Sequence, residues 1–249
     1  MPRSKKSTYY FIGVLSDQSA RYFVSNLRLA DGFFLEVVMD GISIWGSTHK
    51  DFKRVRAQVE NTLDVIVSGF AFRTRIPISY TLKNWIEAKE IIAKKNMIGW
   101  ILTPLALKEH YPARSPKNTH WKKSAALYND LYKGKGNNNH ILALKDYRSA
   151  IIDKSEDAFL LAYRSVEDIC RAITGCEKAE NKDWQQMHRV IGTSESLIKP
   201  LNEVAKRVRH GNKSHRVVIK AKANRDKIID IARTVIEKEL KITFPNFLN

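Results

Sequence analysis

Cysteine and long apolar runs are the scarcest features of this 249-residue sequence. Its two cysteines, Cys170 and Cys176, form no C-x-x-C pair, and no set of His and Cys has the spacing of a zinc site. The longest apolar runs, 65–72 and 158–163, fall far below the ~20 residues that span a bilayer. We therefore predict no metal, no cofactor, no membrane span and a reducing, cytoplasmic location.

Glycine and proline are also few, with 11 and 7 residues, which excludes collagen-like and proline-rich architectures. Hydrophobic residues make up 43% of the chain and charged residues 28%, a balance that favours a packed core over disorder. In contrast, basic residues are abundant, because 43 Lys and Arg face 26 Asp and Glu, a net charge of +17. Such a charge attracts polyanions, first nucleic acids and second an anionic membrane surface.

The first 107 residues are predicted to form a β-rich domain with one or two helices. Short runs rich in β-branched and aromatic residues are separated by turn signals, and Asp40-Gly41 is typical of a hairpin. A capping-box pattern at 48–51 precedes apolar residues at helical spacing. The predicted elements are strands over 9–15, 22–29, 33–39, 42–45 and 76–86, a helix over 51–68, a short helix around 87–95 and a strand over 97–102.

Beyond residue 107 the chain is predicted to form a basic linker over 108–140 and then a helical bundle over 141–249. Proline, glycine and asparagine dominate the linker, in which a short helix over 121–132 stays open. Helical periodicity predicts helices over 141–152, 154–174, 183–191, 194–208 and from 224, and Pro200 is expected to kink or break the fourth. The predicted fold class is therefore α+β, a β-rich domain followed by an all-α bundle.

An arginine and a histidine lie close together between the last two predicted helices, at Arg209 and His215. Imidazole can take or give a proton on a 2′-hydroxyl or a leaving oxygen near neutral pH. The guanidinium group can hold a phosphate and stabilise the charge that develops in the transition state. The pair therefore indicates phosphodiester cleavage.

The spacing of this pair has little specificity by itself, and its context in the sequence distinguishes it from a chance match. Arg114 and His120 have the same spacing, but they lie in the proline-broken linker, so we treat them as a coincidence. Around Arg209 and His215 the chain has nine basic residues against one acidic residue, Asp226, between 206 and 227. The basic residues are Lys206, Arg207, Arg209, Lys213, Arg216, Lys220, Lys222, Arg225 and Lys227.

A basic helical domain with an R-x4–6-H motif before its final helix resembles the HEPN (higher eukaryotes and prokaryotes nucleotide-binding) superfamily. That family favours a polar residue directly after the arginine, where this chain has His210. It also often has an acidic and a basic residue four positions apart on an earlier helix, which Glu167 and Arg171 match. The resemblance covers 141–249 and leaves the N-terminal half unexplained.

The resemblance implies a metal-independent endoribonuclease that acts as a homodimer through the helical domain. Arg209 and His215 of two copies would share one cleft for single-stranded RNA, leaving a 2′,3′-cyclic phosphate and a 5′-hydroxyl. Family members occur in toxin–antitoxin, CRISPR-associated and phage-defence systems, so an antitoxin or effector partner is also implied. The supporting residues would be His210, Glu167 and Arg171, and the RNA-binding residues Lys206, Arg207, Lys213 and Arg216.

Each of these residues also has an ordinary structural interpretation. His215 is then an exposed loop histidine, Arg209 a last-turn cation favoured by the helix dipole, and Glu167 with Arg171 a surface ion pair. Tyr163 and Trp184 lie within helical periodicity and are expected in the core. Two other functions stay open: a catalytically inactive nucleic-acid-binding or nucleotide-binding module of a larger defence system, and a structural or partner-binding protein.

Overall fold

A computed structural model describes residues 7–16, 22–87, 116–212 and 214–248. It confirms the α+β class, with an antiparallel sheet near the N-terminus and helices throughout the C-terminal part. The strand predicted over 97–102, nearly all of the helix predicted around 87–95, and Lys213 lie outside the described residues. Among the helices that are described, none combines the length and the apolar character needed to cross a membrane.

Five strands form the described sheet, in the order β2-β3-β4-β1-β5, and every neighbouring pair is antiparallel. Strands β3 and β4 pair directly across Asp40, as the Asp-Gly signal predicts. Alternate residues of β1 and β4 are buried, so one face of the sheet packs against the core. The strands are β1 (Ser7–Leu15), β2 (Tyr22–Arg28), β3 (Phe34–Met39), β4 (Gly41–Thr48) and β5 (Tyr80–Glu87).

Helix α1 (Phe52–Thr74) packs its first turn against the sheet, where the Phe52 ring stacks on Phe11 of β1 at a centroid distance of 6.0 Å. Asp51 caps this helix, since its Oδ1 accepts the backbone N–H of Arg54 at 3.1 Å. The helix extends six residues past the predicted end at 68. Gly69 is buried in close contact with Ser124, so it serves helix packing and does not end the helix.

The predicted linker over 108–140 contains a 17-residue helix, α2 (Pro116–Tyr132), which includes the short helix over 121–132 that the sequence left open and begins five residues before it. Trp121 is fully buried and stacks on Phe70 of α1 at 4.2 Å between ring centroids. Asn129 accepts the backbone N–H of Ala30 at 2.7 Å. Proline and glycine residues mark only the ends of this segment. Its centre is helical because Trp121 packs into the core.

The chain divides into two compact units, one of residues 1–70 and 78–133 and the other of residues 71–77 and 134–249. The division therefore falls near 133, whereas the sequence predicts a linker through 140. Residues 71–77 belong with the second unit, in which the Phe72 ring meets Tyr147 edge-on at 5.4 Å. We call the second unit the helical unit.

Six helices and a short final turn follow Asn137 in the described part of the helical unit. The first two form an antiparallel hairpin, because Asn137 at the start of one donates from Nδ2 to the carbonyl of Ala172 at the end of the other, at 3.0 Å. Their bounds are α3 (Asn138–Ile152), α4 (Asp157–Thr174), α5 (Asn181–Ile191), α6 (Glu195–Arg209), α7 (Arg216–Ala223), α8 (Arg225–Thr243) and α9 (Pro245–Leu248).

Two of the sequence-based expectations for these helices need correction. Helix α6 continues through Pro200, so of the kink or break that the sequence predicts, the break is wrong. The predicted terminal helix is preceded by a separate helix, α7, which the sequence did not indicate. The Arg–His motif therefore lies between α6 and α7, and not directly before the last long helix.

Candidate functional site

A tight turn closes α6 and places its last residues at the surface. Arg209 is the final helical residue, and His210 follows it as the C-cap. Gly211 adopts φ +74°, the left-handed conformation that glycine tolerates best, and the backbone N–H of Asn212 donates to the Arg207 carbonyl at 2.9 Å. The imidazole of His210 is exposed and forms no hydrogen bond with any described residue. These features agree with an ordinary helix stop.

His215 is the N-cap residue of α7, which gives it a defined structural role. Its Nδ1 accepts the backbone N–H of Val217 at 3.3 Å, and its carbonyl accepts those of Val218 and Ile219. Because Nδ1 is the acceptor, the neutral ring carries its proton on Nε2. The side chain is exposed, and its Nε2–H group has no hydrogen-bond partner in the described structure.

Arg209 lies over an aromatic ring. Its Cζ is 5.9 Å from the ring centroid of Tyr163 on α4, a cation–π contact. Within the described ranges its guanidinium group makes neither a hydrogen bond nor an ion pair, and it is exposed. No hydrogen bond links Arg209 with His215 across the described part of the turn. The helical unit therefore leaves both groups accessible at the ends of one short connection.

Glu167 and Arg171 do not form the ion pair that their i,i+4 spacing suggests. Arg171 Nη1 instead contacts Oδ1 of Asp168 at 3.1 Å, so the expected surface pair is wrong. Glu167 lies one turn after Tyr163 on α4. Burial raises the pKa of Tyr163 to about 12, with the charge of Glu167 acting in the same direction and that of Arg209 opposing it. Glu167, Tyr163 and Arg209 are therefore neighbours, while Arg171 belongs to a different contact.

Asp168 is a buried carboxylate that the sequence did not single out. Burial raises its pKa to about 6, the Asp146 carboxylate of α3 adds to that shift, and Arg171 reduces it. Asp146 in turn pairs with Arg164 at 3.1 Å and so links α3 to α4, whereas the pair of Asp168 with Arg171 lies within α4. The available sequence signal was the position of Asp168 in α4, because helical periodicity places it among apolar residues and so indicates a buried carboxylate.

The basic residues between 206 and 227 divide into two groups. Lys222 forms an ion pair with Glu156, and Arg225 donates to the backbone carbonyls of Ala150 and Asp153, so both hold the bundle together. Apart from Lys213, which lies outside the described residues, the others are exposed and have no acidic partner in the described structure. We call this second group the basic surface; its members are Lys206, Arg207, Arg209, Arg216, Lys220 and Lys227.

Tyr163 and Trp184 are not fully buried, which differs from the core positions that the sequence predicts. Both are half-buried, and their rings lie 6.1 Å apart between centroids with an interplanar angle of 29°. Trp184 belongs to α5, so Arg209, Tyr163 and Trp184 bring three helices together. The sequence provided only an indirect signal for this cluster: Tyr163 lies one helical turn before the predicted site residue Glu167, and therefore on the same side of α4.

In the ranges that the structure describes, no three side chains of His, Cys, Asp or Glu converge in a way that could hold a metal ion. The cysteines Cys170 and Cys176 are both free, and burial raises the pKa of the Cys170 thiol to about 12. That thiol is therefore protonated at neutral pH and a poor nucleophile.

The fold and site thus define an α+β protein whose helical unit exposes an Arg–His turn and a basic surface. Residues 125–243 match the family model described as the C-terminal domain of a domain of unknown function, DUF8168. The match begins in α2 and ends with α8, so it includes the turn and the basic surface. The comparisons with curated proteins and with solved structures found no match.

Proposed function

We propose that this protein is a metal-independent endoribonuclease of the HEPN type, which binds single-stranded RNA through its helical unit and cleaves it with Arg209 and His215. The observation that carries this proposal is the placement of both side chains, exposed and without an acidic partner in the described structure, at the two ends of one turn. The proposal includes a cytoplasmic location and a homodimer whose two turns share one cleft.

RNA binding is the first step, and the basic surface supports it. Six exposed cations with no acidic partner among the described residues lie in α6, in α7 and at the start of α8. Such cations displace the counterions that are condensed on the phosphates of a nucleic acid, and the release of these counterions drives association at low salt. Lys206 and Arg207 precede the turn, whereas Arg216 and Lys220 follow it, so the backbone of a bound strand would be held on both sides.

Phosphate orientation is the second step, and Arg209 is the group suited to it. A guanidinium group offers five donors in a fixed plane and can hold two phosphate oxygens at once. The Tyr163 ring lies beneath this plane and restricts its position without using any of its donors. Arg209 is therefore free to stabilise the extra negative charge of the pentacoordinate transition state.

Proton transfer is the third step, and it falls to His215. The 2′-oxygen attacks phosphorus and loses its proton, while the bond to the 5′-oxygen breaks and that oxygen gains one. Either transfer requires His215 to release Val217, because a base needs a free lone pair on Nε2 with the proton moved to Nδ1, and an acid needs both nitrogens protonated. The capping bond is long at 3.3 Å, and because loss of an N-cap contact costs only about 1 kcal/mol, the bond can open transiently.

A second candidate function is RNA binding without cleavage, and the same capping bond favours it. With Nδ1 held by Val217, the neutral imidazole can only donate a hydrogen bond from Nε2. His215 would then orient a phosphate and cap α7, and the protein would act as a nucleic-acid-binding module. The two candidates share the basic surface and differ in what His215 does.

Incubation of RNA with the purified protein in excess EDTA tests the endoribonuclease proposal. We expect fragments that end in a 2′,3′-cyclic phosphate and begin with a 5′-hydroxyl, and no cleavage of the same sequence with 2′-O-methyl riboses. Arg209→Ala should reduce the cleavage rate by about a hundredfold, the effect of losing one charge-stabilising donor. Binding without any fragments would favour the second candidate, and cleavage of the 2′-O-methyl strand would exclude the mechanism.

A further inference from the structure

Three side chains from three helices form a single cluster beside the Arg–His turn. The Arg209 guanidinium of α6 lies over the Tyr163 ring of α4, and that ring stacks with the indole of Trp184 on α5. The aromatic pair is half-buried, whereas the other ring pairs of the helical unit, such as Phe72 with Tyr147, are buried. The cluster is therefore a surface feature of the bundle.

The cluster presents hydrogen-bond donors that have no acceptor in the described structure. The Tyr163 hydroxyl, the Trp184 indole N–H and the Arg209 guanidinium group make no hydrogen bond there. None of them is among the buried polar atoms that lack a partner, so these donors are not closed off in the interior. Because the Tyr163 phenol ionises only at a pKa of about 12, it keeps its proton at neutral pH. Glu167 is the carboxylate whose charge acts on this phenol.

Aromatic rings with adjacent donors match the chemistry of an unpaired nucleotide. A nucleobase stacks on an aromatic ring or on a guanidinium plane, and its carbonyl oxygens accept hydrogen bonds from nearby N–H and O–H groups. A paired base in a duplex cannot reach such a ring, because both of its faces are already stacked. A cluster of this kind therefore selects strands with unstacked bases.

We propose that Tyr163 and Trp184 form a nucleobase subsite next to the phosphate held by Arg209. This inference rests on the proposed function, and it names the recognition element that makes single-stranded RNA the substrate. Arg209 serves both parts, as the phosphate ligand and as the cation that borders the aromatic pair. The subsite tolerates different bases, because every base has a face that can stack.

Two uncleavable probes separate base recognition from phosphate recognition. One is a fluorescent oligouridylate with 2′-O-methyl riboses, and the other is an abasic oligomer of the same length on the same backbone. We expect Trp184→Leu and Tyr163→Leu to reduce the affinity for the oligouridylate by about tenfold and to leave the affinity for the abasic oligomer unchanged. Tyr132→Leu, at an exposed tyrosine of α2, is the matched control and should change neither affinity.

The outcomes distinguish the subsite from the proposed function. If the leucine variants lose affinity for both probes equally, or for neither probe, the subsite proposal is overturned while the proposal of RNA binding stands. Failure of the wild-type protein to bind either probe overturns both proposals.

Tryptophan fluorescence keeps the inference testable if the leucine variants misfold. Oligouridylate should quench the emission of the wild-type protein more than the abasic oligomer does, and Trp184→Phe should abolish that difference. An equal effect of the two oligomers on the wild-type protein, or a difference that persists in Trp184→Phe, overturns the inference.

Discussion

His215 Nδ1 accepts the backbone N–H of Val217 at 3.3 Å, so the histidine of the Arg–His motif also begins a helix. This contact bears on both interpretations of His215, as a structural residue and as a catalytic one. It gives His215 a structural role as the cap of α7, and it also decides which ring nitrogen carries the proton. Any experiment on His215 must therefore separate helix capping from proton chemistry.

Substitution of His215 should separate the two roles by stability. His215→Ala removes the side-chain acceptor for Val217 and should lower the free energy of unfolding by about 1 kcal/mol, whereas His215→Asn restores a good N-cap and should lie within about 0.5 kcal/mol of wild type. Urea denaturation followed by circular dichroism measures both. Equal destabilisation by alanine and asparagine would contradict a capping role.

Binding of single-stranded RNA should weaken steeply with salt. Each phosphate contact contributes about 0.7 to the slope of log affinity against log salt concentration, so Lys206→Gln with Arg207→Gln should reduce that slope by about 1.4. Lys241→Gln is the matched control, because Lys241 is exposed but pairs with Glu237 in α8. Fluorescence anisotropy over a salt series measures the slopes, and an unchanged slope in the double variant would exclude these two contacts.

Asp168 should make stability fall as the pH rises from about 4 to 6. Burial raises its pKa from the ordinary 3.8 to about 6, so over this interval the folded state holds a proton that the unfolded state has lost. Deprotonation therefore favours unfolding, by up to about 3 kcal/mol for a shift of this size. Urea denaturation from pH 4 to 7 should show this decline in the wild-type protein and a smaller one in Asp168→Asn. Parallel profiles would contradict the assignment.

Gly136 should tolerate alanine much less well than Gly134. Both have positive φ angles, +72° and +85°, but a Cβ at Gly136 would lie 2.6 Å from Cζ of Phe244, while one at Gly134 meets nothing within 4 Å. Gly134→Ala should cost about 1 kcal/mol for backbone strain alone, and Gly136→Ala about 1–3 kcal/mol more. Thermal unfolding of the two variants tests this, and equal losses would contradict the packing around Phe244.

The longer helices of the helical unit could be predicted because their apolar positions repeat over several turns. Helices α4, α5 and α6 begin and end within three residues of the predicted bounds. Helix α7 was missed for two physical reasons. It has only eight residues, with Val217, Val218 and Ile219 in succession, and its cap is a histidine, which is not among the usual N-cap residues.

Long-range packing accounts for what local patterns could not supply. Helix α2 forms within a segment that proline and glycine mark as a linker, since Trp121 stacks on Phe70 more than forty positions away. Helical spacing places Tyr163 and Trp184 on inward faces, but it cannot tell a half-buried position from a core position. The i,i+4 rule likewise names Glu167 as the partner of Arg171, whereas the side chain turns to Asp168 at i−3.

The most direct test of the account compares RNA cleavage by the wild-type protein and by His215→Asn in EDTA, with binding measured on the same samples. Asparagine preserves the cap of α7 but cannot exchange protons near neutral pH. The account predicts that His215→Asn binds RNA as tightly as the wild-type protein and leaves it intact, while the wild-type protein cleaves it. Cleavage by His215→Asn at the wild-type rate would contradict the central claim.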